Sequence, residues 1–162
     1  MQAMHKLTYL LSVLLMSASA AFAAPVVLEQ PLPTLALQDQ HTQPWSVKAD
    51  TRLVVFAAGR KPSNVVMEVL GAQAKGFLES RQAVYVADMS RMPGFVTRTF
   101  ALPALRDQPY AVGVNLDDKQ LADWPRQEDA ITLIRIEGGR VSSIAYVRTA
   151  AELKSALGIA TP

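Results

Sequence analysis

Two continuous apolar runs constrain this chain more than any other feature. Leu53-Val54-Val55-Phe56-Ala57 and Ala83-Val84-Tyr85-Val86-Ala87 show no alternation of polar and apolar residues. A strand with one wet face alternates, whereas an unbroken run needs cover on both faces, as in a parallel sheet between two layers. Parallel neighbours also need a crossover. Gly59 to Ser63 breaks the first strand, and the spacing of Val66, Val69, Leu70, Ala74, Phe77 and Leu78 predicts a helix over residues 63–80. Gly71 and Gly76 weaken that helix.

The other elements follow from local signals. Residues 25–33 form an extended leading segment with three prolines. Thr34–Leu37 and Trp45–Val47 read as the arms of a hairpin around the turn Asp39-Gln40-His41-Thr42. A helix is expected over 94–102, ended by Pro103. Tyr110–Val114 is a third buried strand, and Asp117 or Asp118 caps a short helix through Trp124, stopped by Pro125. Ile131–Ile136 and Val141–Val147 are strands joined at Gly138-Gly139, a tight hairpin signal. Thr149 and Glu152 have capping-box spacing and open a last helix, with Leu153, Ala156 and Leu157 inward and Gly158 at its stop. The alternation predicts an α/β sandwich on a mixed sheet.

The N-terminus reads as a cleaved secretory signal rather than as part of the fold. Leu7–Met16 is apolar apart from Thr8 and Ser12, and small residues lead to Ala21-Phe22-Ala23. The apolar core falls short of the roughly 20 residues that a membrane span needs. Cleavage after Ala23 leaves residues 24–162 as one domain, expected in the periplasm of a Gram-negative type of cell, with no stable membrane insertion after cleavage.

Composition removes several functions. The chain has no cysteine, which excludes disulfides, thiol chemistry, Cys-ligated zinc and iron–sulfur clusters. Sixteen basic residues face 14 acidic ones, and Arg81, Arg91, Arg98 and Arg106 are scattered, so nucleic-acid binding is not expected. There is no G-x-G-x-x-G, P-loop, G-x-S-x-G or EF-hand spacing. No cofactor or metal is expected. His41, with Asp39 nearby, lacks a third catalytic partner and lies in a turn. Asp88, with Asp117 and Asp118, offers oxygens to a hard cation, but capping or solvent exposure is the favoured reading of all three. Trp45 and Trp124 read as closures of the core edge, with partner anchoring as the other reading.

The order of elements resembles the thioredoxin-like fold in its peroxiredoxin-like and TlpA-like layout. Leu35–Val47 is similar to the hairpin before the first core strand of that branch. Leu53–Ala58 followed by Arg60-Lys61-Pro62-Ser63-Asn64 resembles the strand and active-site turn. Tyr110–Trp124 resembles the inserted strand and helix, and Asp129–Val147 the closing hairpin. The layout is also similar to that of the periplasmic YtfJ-like group. The resemblance implies a three-layer sandwich, with a central mixed sheet, helices on both faces and an N-terminal hairpin extension. It also places Lys61 and Asn64 where the family has its two cysteines, and Ile131 where it has a cis-proline. Neither Lys61 nor Asn64 can exchange disulfides, and a cis bond before a non-proline residue is costly.

Redox work is therefore not expected. Arg60, Lys61, Ser63, Asn64 and Ile131 form the candidate anion or ligand site, because a helix N-terminus with free N–H groups and two cations suits an anion. The plain alternative is a solvated turn in which Ser63 only caps. The expected function is binding: an exported, non-redox accessory protein for a periplasmic partner protein, a peptide or a small anion. A cysteine-independent enzyme using the same site, and a purely structural subunit, are the rival readings.

Overall fold

The computed structural model describes residues 24–160. The expected signal at 1–23 lies outside the described residues. A seven-stranded mixed sheet runs through the molecule in the order β2-β1-β5-β4-β3-β6-β7. β3 (Leu53–Ala58), β4 (Ala83–Asp88) and β5 (Val112–Asn115) are parallel neighbours. β6 (Ile131–Glu137) runs antiparallel to β3, and β7 (Arg140–Val147) antiparallel to β6. On the far side β1 (Leu37–Gln38) joins β5 and pairs with β2 (Pro44–Trp45), which is the expected hairpin in shortened form.

The continuous apolar runs do split their residues between two cores. Leu53, Val55 and Ala57 face one, with Tyr85, Ala87, Ile131 and Leu133. Val54 and Phe56 face the other, with Val86, Ile134 and Ile136. Each fully buried Val, Leu or Phe contributes about 1.5–3 kcal/mol, so both faces are needed. The first core is covered by helices: Val66, Val69 and Leu70 of α1 (Arg60–Gly71), Leu78 of α2 (Phe77–Ser80), Leu105 of α4 (Leu102–Arg106) and Leu153 of α5 (Ala150–Ala156). The second core is covered by Val26 and Leu35 of the leading segment and by Leu121 and Trp124. Among the described residues, the second outer layer is therefore built from chain without regular helix.

That layer is where one expected helix fails. Residues 118–124 form successive turns rather than a helix. Arg126 takes the carbonyls of Leu121 and Trp124, and Trp124 turns inward against Phe56, ring edge to face at 5.3 Å. A side chain that claims backbone acceptors competes with the helical ladder. Trp124 is 2% exposed and so serves the core.

Two other helices differ from expectation. The single helix over 63–80 is instead α1 and α2, which begins three residues earlier at Arg60 and is interrupted after Gly71. Gly76 has φ +86°, a left-handed turn that favours glycine, while Gly71 ends α1 against the mobile end of the Gln108 side chain. Conversely, Pro103 does not end its helix. α3 (Gly94–Val96) leads into a π-helical turn (Thr97–Ala101), and α4 continues through Pro103. In the widened turn the Leu102 N–H bonds Thr97 O, five residues back. This loosens the ladder ahead of a residue that has no N–H to give. The C-terminal half follows expectation: Gly138 and Gly139 turn the hairpin at φ +56° and +76°, and Thr149 and Glu152 form the capping box of α5.

Candidate functional site

The parallel strands end together. Ala58, Asp88 and Asn115 are in register at their C-terminal ends, the end at which open α/β sheets bind ligands. Gly59, at φ +95°, swings the chain from β3 straight into α1. The α1 N-terminus thus stands at the sheet end between two hollows. One, of about 410 Å³, is bordered by Gly59 and by the charged residues Asp88, Arg91, Arg126, Glu128 and Asp129. The other, of about 160 Å³, is lined by Arg60, Ser63, Asn64, Met67, Met89, Met92, Val96 and Phe100.

The five candidate residues are only partly brought together. Arg60, Ser63 and Asn64 share the methionine-lined hollow. Lys61 points the other way, with its Nζ 2.5 Å from Asp129 Oδ2. Ile131 is fully buried in β6 opposite Ala57, and its peptide bond is trans. Ser63 does not cap: Gly59 is the N-cap, and Ser63 lies inside the first turn at 2% exposure. Its hydroxyl lies near that of Tyr85, but neither reaches hydrogen-bond geometry with any group among the described residues. Burial pushes the Tyr85 phenol well above its ordinary range, and the nearby Ser63 hydroxyl moderates this. Tyr110, edge to face with Tyr85 at 6.2 Å, is raised too, by burial and then by Tyr85. These phenols are neutral fillers of the core.

Asp88 is committed elsewhere. It is 4% exposed, and its Oδ1 accepts from Ser90 N, Ser90 Oγ and Asn115 Nδ2, while Oδ2 accepts from Arg126 Nη1 at 2.9 Å. Its oxygens are thus occupied by protein donors, and it does not converge with Asp117, whose Oδ1 receives Lys119 N. Among the described residues no three His, Asp or Glu side chains are grouped to hold a metal. His41 is exposed, and Asp39 Oδ1 receives the backbone N–H groups of His41 and Gln43, so Asp39 shapes the turn rather than orienting an imidazole. Trp45 lies flat against Gly113 of β5.

The sequence did not point to the apolar wall of the hollow. Met67, Met89, Met92, Val96 and Phe100 lie on α1, on the turn after β4, on α3 and on the π turn, and no regular spacing joins them. The one sequence signal was Phe95 and Phe100, two large apolar residues within the helix expected over 94–102. Phe95 is 66% exposed and Phe100 59% exposed. A larger hollow of about 340 Å³ lies at the opposite end of the sheet, around Trp45, Asp50, Glu79 and Gln82. It lies away from the strand ends at which the helix entrance opens.

No protein-family model matches the sequence, and no curated protein is significantly similar to it. Solved structures do match. The Chlorobium tepidum protein assigned as thiol:disulfide interchange protein DsbE is 16% identical, with TM-score 0.56 over 82% of this chain and 94% of that one. A Bacteroides thetaiotaomicron protein assigned as a protein disulfide isomerase is 11% identical, with TM-score 0.52 over 85% and 89%. StoA of Bacillus subtilis is 9% identical, with TM-score 0.50 over 75% and 94%. At such identities the likeness establishes the fold, which is thioredoxin-like. The chain keeps this fold with no cysteine.

Proposed function

We propose that this thioredoxin-like chain is an exported, non-redox binding protein that holds an apolar segment of a periplasmic partner or peptide in the hollow beside α1. One observation carries this reading. Where the fold places its reactive turn, the chain has a concave site with Arg60 and Asn64 at a polar lip, buried Ser63 in its wall and a floor of Met67, Met89 and Met92. Apolar pockets with a few convergent polar groups are the usual form of a binding site. Methionine adapts its shape to varied apolar partners. Export rests on the sequence of residues 1–23. A small anion is less well served, because Lys61 is turned away to Asp129.

The test is selection from a peptide display library on immobilised protein, repeated on Met67→Lys, which places a charge on the floor. Enrichment of apolar sequences on the parent and their loss on the variant is the expected result. Equal enrichment on both would remove the hollow from the account. Any reduction of insulin disulfides above the uncatalysed rate would contradict the non-redox part.

A further inference from the structure

From Met89 to Arg106 the chain carries Arg91, Arg98 and Arg106 and no acidic residue. Within this stretch the Phe95 and Phe100 rings meet edge to face at 6.0 Å while both stay largely exposed. Folding leaves this aromatic area uncovered, and contiguous exposed apolar area marks an interaction site. The patch is continuous with the hollow, because Phe100 and Val96 form one of its walls. The π turn that carries Phe100 is a form of helix found often at functional sites.

One cation lines the hollow and two more stand on the stretch of chain that forms its far wall. Arg60 lines the hollow. Along the chain Arg91 falls between Met89 and Met92 and Arg98 between Phe95 and Phe100; Arg91 borders the neighbouring hollow, beside Asp88, Glu128 and Asp129, and the Arg98 guanidinium lies over Gly94. All three are exposed, and among the described residues none makes an ion pair. Lys61 and Arg126, by contrast, are paired with Asp129 and Asp88. No carboxylate lines the methionine hollow.

We infer that this face docks a protein segment in which acidic residues flank an apolar side chain. The apolar group enters between Met67, Met92 and Phe100, and the flanking carboxylates meet Arg60, Arg91 and Arg98. This rests on the reading of the hollow as the binding site. An apolar floor accepts any apolar group; uncompensated arginines at the rim decide which segments are favoured and which are repelled. An anionic membrane would meet the same charges and rings, but it has no use for a walled hollow that fits a single side chain.

Fluorescence anisotropy of labelled synthetic peptides tests this. Three peptides place one leucine between glutamates, lysines or serines, and phosphatidylglycerol vesicles form a fourth arm. The glutamate peptide is expected to bind about tenfold or more tightly than the lysine peptide. The double variant Arg91→Glu/Arg98→Glu reverses that order. Raising the salt from about 0.05 M to about 0.5 M weakens the glutamate peptide and not the serine peptide. The salt arm uses the parent protein, so it decides the matter even if the variant folds poorly. Equal binding of all three peptides, insensitive to salt, overturns the charge inference and leaves the hollow standing. Binding of vesicles with no binding of any peptide overturns both in favour of a membrane surface. Binding of nothing overturns the hollow itself.

Discussion

Arg126 and Lys61 are both basic residues paired with an aspartate, and they differ in what their loss removes. Arg126 Nη1 meets an Asp88 that is almost wholly buried, and its guanidinium lies 5.3 Å from the Phe56 ring centre. Removing one partner of a buried pair leaves the other charge desolvated and costs about 3–5 kcal/mol. Arg126→Ala should therefore lower the unfolding free energy by roughly 3 kcal/mol in urea titration. Lys61→Ala, at a pair whose side chains are 72% and 45% exposed, should change it by less than about 1 kcal/mol. Gly113 gives a second contrast. A Cβ there would lie 2.6 Å from the Trp45 ring, so Gly113→Ala should cost about 1–3 kcal/mol by overpacking β5. None of this was legible from the residues. Asp88 read as an oxygen donor for a cation because its partners Asn115 and Arg126 stand 27 and 38 positions away. Such pairing is set by strand register and not by sequence spacing.

At the scale of elements, the strands were legible and the irregular helices were not. Buried runs such as Leu53–Ala57 declare themselves, because only a two-sided strand uses them. Thr149 and Glu152 declared the α5 cap, because that reciprocal bonding is local. The π turn could not be read, since its cause, Pro103, usually ends a helix. The widened turn interrupts the α ladder and its residues Arg98–Phe100 are exposed, whereas Val66, Val69 and Leu70 are buried, so amides of Thr97–Leu102 should exchange with deuterium faster than those of Val66–Leu70. Equal protection would contradict the widened turn. The cap gives a pH prediction. Backbone N–H groups of Arg148 and then Thr149 hold the Glu152 carboxyl below the ordinary glutamate range. A lowered folded value stabilises above the unfolded pKa, and this is lost as pH falls through the folded value. Glu152→Ala should thus lower the melting temperature at neutral pH, and the difference should vanish by about pH 2.

For the whole molecule, the absence of cysteine is the feature that sequence and structure share. A thioredoxin-like scaffold brings three parallel strand ends and a helix entrance to one place, and here that place carries methionines, phenylalanines and arginines. The sequence located the entrance, through Arg60, Ser63 and Asn64. It did not locate the opposite wall, because Met92, Val96 and Phe100 reach the hollow only through the turns after β4. Chemical-shift mapping locates the binding face. The protein, labelled with nitrogen-15, is titrated with the glutamate-flanked leucine peptide. Saturable shifts confined to residues 60–67, 89–92 and 95–104 are expected. Shifts centred instead on the hollow around Trp45, Asp50 and Gln82, with the helix entrance unmoved, would contradict that location.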